Sequence, residues 1–212
     1  MMPAIKKLLN AARDFRWGLQ LRLQDYRVER ALGVNTGGKN DIQFELSELG
    51  DAVGYAATRY RELKITVDYL ELNADDVLID YGCGKGRVVF FVAAQKIRKV
   101  IGVELDPVLM KIAKRNLQNL KIKHSPIQLY EDDAVNVKVG EATVFYFYNP
   151  FGLKTWERII GNIKRSLEEF PRRIRIVYKN PIHRPYLDSL DWLVFKGQIP
   201  NTETFVWGNK TK

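Results

Sequence analysis

The sequence predicts a doubly wound α/β domain: a seven-stranded sheet, mostly parallel, closed by a C-terminal antiparallel hairpin and preceded by an amphipathic helix. Three observations carry this reading. Short apolar runs of strand type alternate with helical patterns from Tyr55 onward, which is the signature of parallel strands joined by helical crossovers. The first run, Val77-Leu78-Ile79, ends on Asp80 and is followed by glycines at alternate positions, Gly82, Gly84 and Gly86, before a new helix begins at Arg87. The last two runs, Trp192 to Ile199 and Thr204 to Trp207, are separated only by a short turn around Pro200-Asn201, so they form a hairpin rather than a crossover.

Taken in order, Pro3 to Leu32 carries Ile5, Leu8, Ala12, Phe15, Leu19, Leu23 and Tyr26 at spacings of three and four with lysines and arginines between them. This is a basic amphipathic helix, and residues 1–32 are assigned to it. Asp14, Asp25 and Glu29 argue against a targeting segment. Gly33 to Gly38 breaks the pattern, and 33–54 reads as a polar, mobile connector. Residues 55–212 form the main domain. On this division, removal of residues 1–30 is expected to leave a soluble domain.

Within that domain a helix runs through Leu63, Val67, Leu70 and Leu72. After the glycine turn comes a helix whose apolar face includes Val88, Phe91, Val92 and Ala94, then a second strand at Lys99 to Glu104. Asp106 and Pro107 are cap and first residue of the helix to Leu120. Ile127 to Tyr130 is the third strand, Ala142 to Tyr148 a buried fourth, Thr155 to Phe170 an amphipathic helix and Ile174 to Tyr178 the fifth strand.

The glycine turn is a nucleotide-cofactor corner. Glycine is required where the backbone takes angles closed to residues with a Cβ and where a ligand lies almost on the main chain. A dinucleotide site has the spacing G-x-G-x-x-G, which seats a pyrophosphate on a helix N-terminus. The spacing here is G-x-G-x-G with a carboxylate closing the strand before it. That carboxylate repels a pyrophosphate and suits a ligand carrying an ammonium and a sulfonium, so S-adenosylmethionine fits better than a nicotinamide dinucleotide. Ligands of such sheets lie beyond the carboxyl ends of the strands. Asp80 is therefore placed to hold the ammonium end. Glu104, 24 positions later, is placed to accept from both ribose hydroxyls, close to the ~20-residue offset of the ribose-binding acid in such folds. Asp106 competes for that role but suits a helix cap.

Asp80-Tyr81-Gly82-Cys83-Gly84-Lys85-Gly86-Arg87, Val100-Ile101-Gly102-Val103-Glu104 and Tyr148-Asn149-Pro150-Phe151, in this order, resemble the class I S-adenosylmethionine-dependent methyltransferases. The resemblance runs from about Tyr55 to Trp207; it is nearest to a bacterial group of small enzymes of unassigned substrate and more distant to the Dot1-like lysine methyltransferases. It implies a Rossmann-like fold and a cytoplasmic transferase that methylates an acceptor. It also implies that Tyr55 and Thr58 lie over the methionine end of the cofactor, although Thr58 equally suits a helix cap. Asp133, with the backbone of Ala134, would meet the adenine amino group. Asn149-Pro150-Phe151 is similar to the Asn-Pro-Pro-aromatic signature of methyltransferases acting on nitrogen, with the second proline missing. That likeness implies a catalytic role for Asn149, Pro150 and Phe151 and an amino nitrogen, of protein lysine or another amine, as acceptor. A second Asn-Pro pair, Asn180-Pro181, and His183 end the adjacent strand and are assigned to the substrate side, although Asn180-Pro181 equally suits a plain strand terminator. Each proline is expected to bias its asparagine toward extended backbone.

Bulk properties set outer bounds. A chain of 212 residues, 46% hydrophobic, buries one good core. Its single cysteine, Cys83, points to a reducing compartment without disulfides, and no apolar run approaches the roughly 20 residues that span a bilayer. No metal is called for. The net charge of +9 suits an anionic partner, nucleic acid, acidic protein or membrane surface, and the basic N-terminal helix is the segment that would meet it. Against the enzyme stands a cofactor-binding scaffold of the same fold without turnover; oligomeric state is left open.

Overall fold

The computed structural model describes residues 2–37, 55–138 and 140–210. The stretch from Gly38 to Gly54, most of the expected connector, lies outside the described residues. Seven strands, β1 (Val77–Tyr81), β2 (Lys99–Glu104), β3 (Ile127–Glu131), β4 (Val144–Tyr148), β5 (Arg175–Lys179), β6 (Leu193–Gln198) and β7 (Thr204–Asn209), form one sheet in the order β3-β2-β1-β4-β5-β7-β6. The strands from β1 to β5 pair in parallel, whereas β7 runs antiparallel to both β5 and β6. The strand order reverses between β1 and β4, and a crevice therefore opens at their carboxyl ends.

The helices are α1 (Met2–Leu32), α2 (Tyr60–Leu70), α3 (Arg87–Ala93), α4 (Pro107–Asn119), α5 (Leu153–Glu169) and α6 (Arg184–Asp188). Both faces of the sheet are covered, because alternate residues of each strand point to opposite sides. Val77, Ile79 and Tyr81 of β1 pack with Trp156, Ile159, Ile160 and Ile163 of α5. Leu78, Val100, Val144 and Tyr146 pack on the other side with Tyr60, Leu63 and the residues of α3. Every residue of α3 except Phe91 is buried, so the helix has no solvent stripe and the expected apolar face of four residues understates its burial. Helix α6 has no counterpart in the sequence reading, since five residues are too few for a periodic signal.

Buried contacts cross the expected division at residue 32. Arg87, the first residue of α3, is buried, and its guanidinium ion-pairs with Asp25 at 3.4 Å and Glu29 at 3.0 Å, both on α1. It also donates to Thr36 Oγ1 (2.8 Å) and to the Thr58 carbonyl (3.1 Å), and lies 4.6 Å from the centroid of the Tyr60 ring. Asp25 does a second job: its Oδ1 accepts from the Tyr60 N–H at 3.1 Å, satisfying the first turn of α2, whose own N-cap residue, Arg59, makes no side-chain capping bond. Residues 33–37 are anchored too. The Asn116 side chain on α4 accepts from Asn35 N–H and donates to the Asn35 and Lys85 carbonyls, each at 3.0 Å. Leu32 and Val34 are core residues. The C-terminal part of α1 is thus a layer of the domain, and excising residues 1–30 strands a buried cation.

Breaking a buried ion pair leaves an uncompensated charge, which costs about 3–5 kcal/mol, whereas an exposed pair contributes about 0.5 kcal/mol. In urea unfolding, Arg87→Ala is accordingly expected to lower stability by about 3–5 kcal/mol. Loss of the exposed Lys64–Asp68 pair, by Lys64→Ala, should shift the midpoint very little. Equal effects of the two substitutions would remove Arg87 from its place as the anchor of α1.

Candidate cofactor and acceptor site

The glycine turn after β1 is held by the strand beside it: the Gly82 and Cys83 N–H groups both donate to the Val103 carbonyl at 2.9 Å. Two glycines are demanded by close approach as well as by backbone angle. Gly84 has φ +55°, and a Cβ there would come within 2.2 Å of the Tyr55 ring. Gly82 has φ +73°, and a Cβ there would meet Pro150 Cβ at 2.7 Å. The turn therefore lies between Tyr55 on one side and the Asn149-Pro150 turn on the other. Gly86, also left-handed at φ +86°, leads into α3. Tyr55 is fixed by its hydroxyl, which donates to the Thr36 carbonyl at 2.7 Å, and by Lys85 Nζ 5.1 Å from its ring centre. Thr58 does not cap α2; its hydroxyl pairs with the Tyr146 hydroxyl at 3.1 Å, on the strand directly beside Asp80.

Two carboxylates meet at the turn. Asp80 is 3% exposed and makes no side-chain hydrogen bond with a described residue, yet it is not among the enclosed polar atoms lacking partners, so its oxygens reach the crevice. Burial first, and the neighbouring Glu104 second, push its pKa well above the usual carboxylate range. Glu104 accepts from the Gly84 N–H at 2.8 Å through Oε2 and from the Asp106 N–H at 2.9 Å through Oε1. Its pKa is raised by burial, with those backbone donors opposing. Each oxygen of Glu104 thus keeps a lone pair for a ligand while the backbone fixes the carboxylate plane. No cation among the described residues compensates this pair; a ligand bringing positive charge and hydroxyl donors fits it, and a pyrophosphate does not. Asp106 caps α4, accepting from Val108 and Leu109 N–H at 2.7 and 3.2 Å. After β3, Asp133 Oδ1 accepts from Val135 N–H at 3.0 Å, and Ala134 is half-buried beside it. Among the described residues no cluster of three His, Cys, Asp or Glu could hold a metal ion.

On the acceptor side the expectation of extended backbone fails. Asn149 has φ +44° and Asn180 φ +50°, both in the left-handed region that asparagine tolerates better than other residues with a side chain. Local turn geometry outweighs the bias imposed by the following proline. Asn149 is held at three points: Pro150 lies against Gly82, Phe151 turns into the core, and the Tyr178 hydroxyl of β5 donates to Asn149 Oδ1 at 3.0 Å. Phe151, 6% exposed, packs edge-on to Phe147 and Trp156, so it braces the turn from behind. Asn180 is exposed, its N–H donating to the Glu203 carbonyl at 2.9 Å. His183 is half-buried, edge-on to Trp156 at 6.4 Å, and opens α6.

The sequence reading missed Arg87, Tyr178 and Lys179 as functional supports. Lys179 ends β5, is 4% exposed, pairs with Glu62 and lies 5.1 Å from the Tyr148 ring centre. A charged residue inside an apolar strand pattern was the available signal for Lys179, and two acids one turn apart on a basic helix were the signal for Arg87.

This arrangement of reversed strand order, glycine turn, paired acids and terminal hairpin defines the class I methyltransferase fold. Residues 78–169 match the methyltransferase domain family. The match runs from β1 to the end of α5 and agrees with that fold. An uncharacterized RNA methyltransferase of Oceanobacillus iheyensis is 31% identical over 106 residues, covering 45% of this chain and 23% of that protein. An uncharacterized protein of Methanocaldococcus jannaschii is 36% identical over 80 residues, 36% of this chain and 29% of its own. The chain thus matches about a quarter of the length of these relatives. Among solved structures, a dimethyladenosine transferase from Plasmodium falciparum superposes with a TM-score of 0.52 at 12% identity, over 74% of this chain and 64% of that one, a likeness of fold.

The raised carboxylate has a thermodynamic signature. A group whose pKa is higher in the folded than in the unfolded chain contributes stability below the unfolded value and loses it as pH rises through the folded value. Asp80→Asn removes that titration. The difference in melting temperature between Asp80→Asn and the parent should therefore grow in favour of the variant from about pH 4 to about pH 8. Parallel melting curves across that range would show that Asp80 is not held protonated by burial.

Proposed function

We propose that the protein binds S-adenosylmethionine at the glycine turn and transfers its methyl group to an amino nitrogen, with RNA as the acceptor class. The observation that carries this reading is the pair of buried acids, Asp80 with no side-chain partner among the described residues and Glu104 plane-locked by Gly84 and Asp106, at the point where the strand order reverses. Asp80 would face the ammonium group, and Glu104 the ribose hydroxyls. Asp133 and the backbone of Ala134 would meet the adenine, and Tyr55 and Thr58 the methionine end. When bound, the cofactor supplies a methyl carbon activated by a sulfonium, which takes up a nucleophile's electron pair as the carbon–sulfur bond breaks. The protein's share is alignment and exclusion of water. Asn149 and Pro150, packed on Gly82, sit beside the cofactor turn and orient the acceptor; Asn180 and His183 end the neighbouring strand and line the same approach.

Support for RNA is of two kinds. A relative of this chain bears the name of an RNA methyltransferase, and the net charge of +9 attracts a polyanion. Support for nitrogen comes from the Asn-Pro turn at the end of β4.

Calorimetric titration should detect S-adenosylmethionine binding, and Glu104→Ala should weaken it by about ten- to a hundredfold, the loss of roughly 1.5–3 kcal/mol from charged hydrogen bonds. Unchanged affinity in a folded Glu104→Ala protein defeats the ribose assignment. With cofactor labelled in the methyl group and fractionated extract, label should enter RNA; entry into protein or small molecules only would overturn the acceptor class. Asn149→Ala should lower turnover by at least about tenfold with little change in cofactor affinity. Transfer at the parent rate, or a methylated oxygen or carbon, rules out nitrogen positioning by Asn149.

A further inference from the structure

The Asn149 side chain is already committed before any acceptor arrives. Its Oδ1 accepts from the buried Tyr178 hydroxyl at 3.0 Å, across adjacent strands and from a residue with no exposed surface. The direction of that bond follows from its atoms: an amide oxygen carries no hydrogen, so the phenol O–H is the donor and Asn149 Oδ1 the acceptor. Burial holds the phenol protonated, its pKa pushed up to about 12, so the donor persists throughout the neutral range. With the oxygen turned to Tyr178, the amide nitrogen faces the other way. Asn149 Nδ2 donates to no described residue and is not among the enclosed polar atoms without partners, which among the described residues are Trp156 Nε1 and Thr204 Oγ1. It therefore has access to the crevice, while the left-handed backbone at φ +44° and the seat of Pro150 on Gly82 prevent the turn from swinging aside.

Resting on the reading of Asn149 as the acceptor-facing residue, we propose that Tyr178 is a positioning residue that makes Asn149 a hydrogen-bond donor, so that the site selects an amino group flanked by a lone-pair atom, as on the edge of an aminopurine or aminopyrimidine base. In such a base the ring nitrogen beside the amino group receives the Nδ2–H bond and the amino nitrogen stays free to attack. A lysine side chain offers no second atom. As an ammonium it would meet donor with donor; as a free amine its only lone pair, the one that must attack, would be tied up by Nδ2.

The test uses full-length protein saturated with S-adenosylhomocysteine and three probes, adenosine, cytidine and Nα-acetyl-lysine amide, with dissociation constants read by ligand-observed NMR. The parent protein should bind at least one nucleoside about tenfold or more tightly than the lysine amide, the value of about one net hydrogen bond to a site with a committed donor. Tyr178→Phe keeps the ring in the aromatic core but frees the amide to turn, and should erase that preference while S-adenosylhomocysteine affinity stays within about twofold. Asn149→Asp, at mildly alkaline pH, can still accept from Tyr178 but cannot donate, and should reverse the preference toward the lysine amide. A preference that survives both substitutions, tighter binding of the lysine amide by the parent, or no nucleoside binding by the parent overturns the proposal. Failure of the parent to bind S-adenosylhomocysteine at all would instead bring down the underlying reading, and the inference with it.

Discussion

A guanidinium with almost no access to water is the constraint on which this structure turns. Placing a cation inside a protein is unfavourable unless every donor is matched, and Arg87 meets that condition only by drawing in Asp25 and Glu29 from α1, Thr36 from the segment after it and the Thr58 carbonyl ahead of α2. Because Arg87 directly follows Gly86, whatever holds its side chain also holds the end of the glycine turn. Three stretches of sequence, the end of α1, the segment after it and the approach to α2, are thereby registered on the cofactor corner. Thr36 illustrates the economy of the network: its hydroxyl donates to Glu29, receives from Arg87 and lies 3.2 Å from the Tyr60 hydroxyl, while its carbonyl receives from Tyr55.

At the other end of the turn the electrostatics run in the opposite sense. Asp80 and Glu104 are two carboxyls brought together in a buried crevice with no cation opposite among the described residues, so burial opposes their ionisation and a positively charged guest would favour it. The fold is thus over-satisfied on the Arg87 side and under-satisfied on the Asp80 side, a few residues apart. Rigidity around the turn is what allows the unsatisfied pair to persist without collapsing onto a neighbouring lysine. Lys85, the nearest lysine in sequence, is drawn away to the Gly37 carbonyl at 3.0 Å.

How much of this was legible in the sequence follows from the range of each interaction. Strand and helix identities depend on local periodicity, and the element order, the terminal hairpin and the Asp106 cap were readable from it. The glycine turn was readable because its backbone angles exclude other residues. Long-range pairings leave no periodic trace: the Asp25–Arg87 contact spans 62 positions and the Tyr178–Asn149 bond 29. That is why α1 read as a detached arm. Asn149 and Asn180 were misjudged for a related reason, since the rule for residues preceding proline describes the chain in isolation, and a strand end packed against a neighbouring loop obeys its contacts instead. Which way the Phe151 ring faces is likewise not local, since it is decided by partners such as Phe147 and Trp156 that lie elsewhere in the chain.

The lone cysteine acquires a use from its address. Cys83 sits inside the glycine turn, buried, with its sulfur lodged where a Cβ on Gly102 would come within 2.9 Å. Burial and the two nearby acids keep it in the unreactive thiol form. Any reagent that consumes thiols can therefore reach it only when the corner opens, and with a single sulfhydryl in the whole sequence every modification event has one origin. The molecule carries a built-in clock for the breathing of its own cofactor loop, whose ticking slows as that loop is braced.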